Sequence, residues 1–186
     1  MIDDNYELVI QNLKDKGYFK YVPSTELPHV LEQAAKNLKE KSLIGFSDNP
    51  MKDPQYLDYR MYDADAENLA EGDIGELLRK TKTVLENAGV EFSSVIDEIT
   101  SNKYDLLIDN KRYSIFTVET INSPDSWEIA FLRLLEIINE LLKNANSEER
   151  LYGMYGGNDG IIVFLTEDLY QFITKNNLFE ISYLPS

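Results

Sequence analysis

The chain has 186 residues and sets 33 Asp and Glu against 18 Lys and Arg, a formal net charge of −15, with one histidine and no cysteine. That sign opposes phosphate backbones and anionic membrane surfaces. The lack of cysteine excludes disulfides, Cys-ligated zinc, iron–sulfur clusters and thiol nucleophiles.

In chain order, Tyr6, Val9, Ile10 and Leu13 recur at helical spacing over residues 3–16 and stop at Gly17. The aromatic run Tyr18, Phe19, Tyr21 ends at Pro23. A second helix is predicted from Thr25 to Lys41, with Leu27, Val30, Leu31, Ala34 and Leu38 on one stripe. Two prolines and several Asp and Asn mark residues 47–55 as a loop, the boundary between a helical extension (1–46) and an α+β body (56–186) of a single domain. Asp73 and Glu76 have capping-box spacing ahead of a helix carrying Ile74, Leu77, Leu78, Val84, Leu85 and Ala88, with Gly89 as its stop.

Residues 104–109 and 112–118 are β-rich and read as a hairpin around Asn110-Lys111. Ser123 before Pro124 reads as an N-cap followed by proline at the first helical position. The helix that follows is apolar around most of its circumference, so it should be central and nearly buried. Glu128, Arg133, Glu136 and Glu140 argue against a membrane span. A second hairpin joins LYGMYG to IIVFLT through the turn residues Gly156 to Gly160. Thr166 caps a last helix to about Lys175, and LFEISYL offers an edge strand. This order predicts an α+β fold: an antiparallel sheet of two hairpins, about four to five strands, packed on a buried central helix, with N-terminal helices.

The densest polar group is Asp63, Asp65, Glu67, Glu71 and Asp73. Set on a calcium-loop template, its sixth position is Asn68 instead of Gly and its twelfth is Ile74 instead of Glu, so that match fails. The segment GMYGGNDG leads into a strand and not a helix, which makes it a hairpin tip rather than a phosphate cradle. His29 stands alone and cannot build a multi-His zinc site. Tyr18, Tyr21, Tyr56, Tyr59 and Tyr62, among twelve tyrosines, lie in or beside loops, where a phenol ring offers contact area at low entropic cost.

The segments YDADAENLAEGDIGELL and ERLYGMYGGNDGIIVFLT resemble parts of small bacterial cytosolic proteins, among them immunity proteins of polymorphic toxin systems, over residues 56–175. No site residue carries over from that resemblance. It implies a protein inhibitor.

The function expected from these residues is a non-enzymatic acidic module that binds a basic protein, steered by its carboxylates and anchored by tyrosines. The contact residues expected are Tyr59, Tyr62, Asp63, Asp65, Glu67 and Glu71, with Tyr155, Asn158 and Asp159 as a second patch. No cofactor, resident metal, nucleic acid or membrane partner is expected. With no leader or span visible, a cytoplasmic address is the simplest. A metal-assisted hydrolase using Asp63 to Asp73 and a homo-oligomeric assembly protein are the alternatives.

Overall fold

Helix α1 (Tyr6–Asp15) forms on the predicted spacing, buries Leu13, and ends where Gly17 takes φ 77°, a left-handed value glycine adopts without steric cost. In the computed structural model, residues 6–40, 43, 56–155 and 159–185 are described. The loop expected over 47–55 and Asn158 of the hairpin tip fall outside those residues. Helix α2 (Leu27–Lys39) carries Pro28 in its first turn, where a missing N–H is harmless, and buries Val30, Ala34 and Leu38. Its observed ends are shorter than the predicted Thr25 to Lys41.

Strand β1 (Met61–Asp63) leads into a short helical turn, α3 (Ala66–Asn68). A widened π-type turn over Leu69–Asp73 then carries the chain to α4 (Ile74–Lys80) and α5 (Lys82–Asn87). The single capped helix expected from Asp73 to Gly89 is thus interrupted once, at the buried Thr81, whose hydroxyl turns onto the carbonyls of Leu77 and Leu78. Gly72, at φ 120°, lies in the turn just before it. Asp73 does occupy the N-cap position of α4, but its side chain makes no capping bond.

Strands β2 (Val95–Ile99), β3 (Tyr104–Ile108) and β4 (Lys111–Phe116) form one antiparallel sheet in the order β2-β3-β4. The hairpin turn is Asp109-Asn110, one residue earlier than predicted, because Ile108 pairs directly with Lys111. Helix α6 (Ser126–Asn144) starts two residues after Pro124 and buries eight of its side chains. Strands β5 (Glu149–Tyr155) and β6 (Ile161–Thr166) join β1 in a second antiparallel sheet, β1-β6-β5. Tyr183 adds a single bridge to Gly153, which is as far as the expected terminal edge strand goes. Helix α7 (Glu167–Asn176) is capped by Thr166 through the Leu169 amide, as its sequence indicates.

The protein is α+β, antiparallel throughout, around a buried central helix. Its two hairpins lie in separate three-stranded sheets instead of one, and α6 contacts both, at β4 and at β5. The β1-β6-β5 sheet has apolar layers on both faces, as the period-2 alternation of its strands requires. Leu151, Ile162 and Phe164 face the α6 layer. Tyr152, Val163 and Leu165 face a layer shared with α1, α2 and α7. Among the described residues, no helix is long and apolar enough to cross a membrane.

Candidate functional site

Of the two patches expected from distant parts of the sequence, Asp63 of the first and Tyr155 of the second meet at one end of the β1-β6-β5 sheet. In the register of that sheet, Asp63 on β1 and Tyr155 on β5 flank the same residue of β6, Ile161. The Ala64 amide closes the end by bonding the Gly160 carbonyl at 2.7 Å. Asp63 and Asp159 are exposed, Tyr155 is 41% exposed, and Ile161 is half-buried between them. The result is a ring and an aliphatic side chain set among carboxylates on a rigid sheet end, a usual arrangement for a binding face.

The remaining expected residues divide. Asp65 is the N-cap of α3, accepting from the amides of Glu67 at 2.9 Å and Asn68 at 3.1 Å. Glu67 is half-buried and Glu71 is exposed on the π-type turn. Tyr59 sits at φ 58° and donates its hydroxyl to Glu26 at 2.9 Å, which draws the ring toward α2. Tyr62 is a correction: it is 4% exposed, packed edge-on against Phe164, and offers no docking ring. Alternation explains this, since its neighbours Met61 and Asp63 face the other side of the strand and leave Tyr62 toward α6.

The wider tyrosine face fails for a related reason. Tyr18 and Tyr56 are buried as well, each with a carboxylate for its hydroxyl, Asp58 and Asp63 respectively. Burial, and then the partner carboxylate, pushes both phenols well above their ordinary range. Asn158 lies outside the described residues.

What sequence reasoning missed is a buried polar group at the opposite end of the same sheet, where Glu149 pairs with Thr166. Arg60 is wholly buried and spends its guanidinium on four partners. Nη1 bonds both oxygens of Glu149, at 3.2 and 3.1 Å, and the Phe164 carbonyl at 2.7 Å. Nη2 bonds the Gly17 carbonyl at 2.7 Å, and Nε bonds the Tyr18 carbonyl. Lys20 adds a second cation to Glu149 at 2.6 Å. Burial alone would raise Glu149, but Arg60 and Lys20 outweigh it and hold the carboxyl below its ordinary value. Asp58 is raised by burial, although it accepts from the amides of Arg60 and Met61. These groups are occupied by one another, so they tie the end of α1 to β1, β5 and β6. The available signal was a lone arginine inside the aromatic run YLDYRMY.

A second tertiary device holds the π-type turn. Asp97 on β2 accepts the Gly75 amide with both oxygens, at 3.0 and 3.1 Å, and the Tyr104 hydroxyl at 2.6 Å. It thereby supplies the cap that Asp73 does not. A Cβ at Gly75 would stand 2.2 Å from the Asp97 carboxylate. Gly75→Ala should therefore cost about 1–3 kcal/mol, read as a lower urea midpoint. A midpoint equal to that of the parent would show that Asp97 is not held where the structure places it.

Among the described residues, no group of three or more His, Cys, Asp or Glu side chains is placed to hold a metal ion. The five carboxylates from Asp63 to Asp73 are strung along β1, the α3 cap and the π-type turn. No protein-family model matches the chain, and no curated protein or solved structure shows significant similarity to it.

Proposed function

We propose that this chain is a non-enzymatic, acidic protein-binding module of the immunity type, which captures a basic protein at the Ile161 end of its β1-β6-β5 sheet. The observation that supports this reading is the meeting of Asp63 and Tyr155 across Ile161, from strands about 90 residues apart in sequence, with Asp159 exposed two residues before Ile161. The net charge of −15 supplies a long-range field that attracts a cationic surface. The exposed Tyr155 ring supplies an apolar anchor once contact is made.

The test uses Glu67→Lys and Asp159→Lys together. Asp63 and Asp65 are left in place because they hold Tyr56 and the α3 cap. Association with a basic toxin encoded beside this chain, followed by stopped flow at low salt, should slow by about tenfold or more in the double variant. The parent rate should itself fall as salt rises and the screening length shortens. Equal rates for parent and variant would remove this face from the reading. Calorimetric saturation by Mg²⁺ or Mn²⁺ at definite stoichiometry would instead favour the hydrolase.

A further inference from the structure

Strand β2 is one edge of the β2-β3-β4 sheet, and its outward main-chain groups are largely unused. Antiparallel ladders alternate between pairs that exchange hydrogen bonds and pairs that do not. The Asp109 amide bonds the Ser94 carbonyl, and the Thr100 amide bonds the Lys103 carbonyl, both at 2.9 Å. With the register Val95↔Ile108 to Ile99↔Tyr104, residues 94, 96, 98 and 100 therefore bond β3, and Val95, Asp97 and Ile99 turn their N–H and C=O groups away from it. The Val95 carbonyl is taken by the Arg79 guanidinium at 3.1 Å, which agrees with that parity. Among the described residues, the amides and carbonyls of Asp97 and Ile99 have no main-chain partner outside the strand.

Arg79 covers the Val95 end of this edge, and the side chains bordering the rest, around Asp97 and Ile99, are apolar and acidic. Ile96 is 52% exposed and Ile99 is 49% exposed. Ile99 lies against Gly72, which brings Glu71 and Asp73 beside it, both exposed and without an ion pair among the described residues. A second copy is a poor occupant. Antiparallel self-pairing about Asp97 would set Asp97 opposite Asp97 and each Ile96 opposite a Glu98, so like charges would meet across the seam. A strand that alternates cations with aliphatic residues meets both features, its charges toward the carboxylates and its apolar side chains beside Ile96 or Ile99.

We infer that β2 is a docking edge for an extended basic segment of the partner, which adds to the sheet as a fourth strand. This inference rests on the protein-binding function proposed above and names the form of the bound segment.

The experiment uses the full chain and a synthetic capped peptide of alternating lysine and valine, about seven residues long to match a strand. Hydrogen exchange should show the amides of Asp97 and Ile99 protected at least about tenfold by the peptide, the effect of one main-chain bond each. Ile99→Pro removes one outward donor and leaves the β3 ladder intact, so it should weaken peptide binding about tenfold. If that variant does not fold, Ile96→Lys places a like charge on an exposed position and should weaken binding without unfolding the chain.

Peptide binding with protection confined to residues 63–71 and 155–161 would overturn the edge and leave the acidic module standing. No peptide binding at low salt, while the double lysine variant still slows the toxin, would also overturn the edge alone. A concentration-dependent dimer with Asp97 and Ile99 protected in the absence of peptide would overturn the basic occupant.

Discussion

Arg60→Ala should remove about 3–5 kcal/mol of stability, the usual effect of taking one partner from a buried ion pair. The loss is large because Glu149, 2% exposed, keeps only Lys20 as a counter-charge, while the carbonyls of Gly17, Tyr18 and Phe164 each lose a donor. Against a total of about 5–15 kcal/mol for a typical domain, that is a substantial fraction. Urea unfolding should show the midpoint falling by roughly 1–3 M.

The pH dependence identifies the cause. In the parent, Glu149 sits below its ordinary value of 4.5, so its contribution is complete above that value and fades as pH falls through the lower folded-state pKa. Without Arg60, Lys20 is the one cation left to oppose the burial of Glu149, and its carboxyl rises. The deficit of the variant should therefore be greatest near neutral pH and shrink on acidification, as a protonated Glu149 no longer needs a cation. A deficit that stays constant from pH 7 to pH 4 would show that the ion pair is not its source.

Phe131→Ala is expected to be the other severe change. The ring is 1% exposed on the inner face of α6, and it lies edge-on to Tyr183 at 5.1 Å between centroids. It also fills the space beside Gly153, where an added Cβ would come within 2.8 Å of the ring. Truncating a buried phenylalanine costs about 3–5 kcal/mol, part transfer and part residual cavity. Thermal unfolding should fall by roughly 10–15 °C for a chain of this size. Because Tyr183 and Gly153 are joined by main-chain bonds, the exchange of the Gly153 and Tyr183 amides should accelerate in the variant before global unfolding. A fall of less than about 3 °C would mean that the neighbouring side chains close the cavity.

The candidate site was legible only in pieces. The acids at Asp63 to Glu71 and the hairpin tip with Tyr155 and Asp159 were visible as composition and turn chemistry. The meeting of Asp63 with Tyr155 at Ile161 was not, because β1 is three residues long and carries no periodic signal of its own. The exposed tyrosine face was misplaced for the opposite reason. A tyrosine in a loop-like sequence gives no sign of which way it points, and Tyr18, Tyr56 and Tyr62 are buried, Tyr62 by strand parity and the other two with their hydroxyls on Asp58 and Asp63. Strand β2, with Asp97 and Glu98 in the middle of VIDEI, breaks the apolar run by which buried strands are recognised.

By itself the sequence determined the local elements: α1 with its Gly17 stop, the apolar α6, the two hairpins and the Thr166 cap. Each of these depends on neighbours within a few residues, where periodicity, capping and turn preference act directly. Tertiary structure alone decided that the hairpins would enter different sheets, that Asp97 would cap α4 in place of Asp73, and that Arg60 would be drawn into the core by Glu149. Those outcomes depend on groups 22 and 89 residues apart. The free energy of such contacts exists only after burial has brought the partners together and removed the water between them.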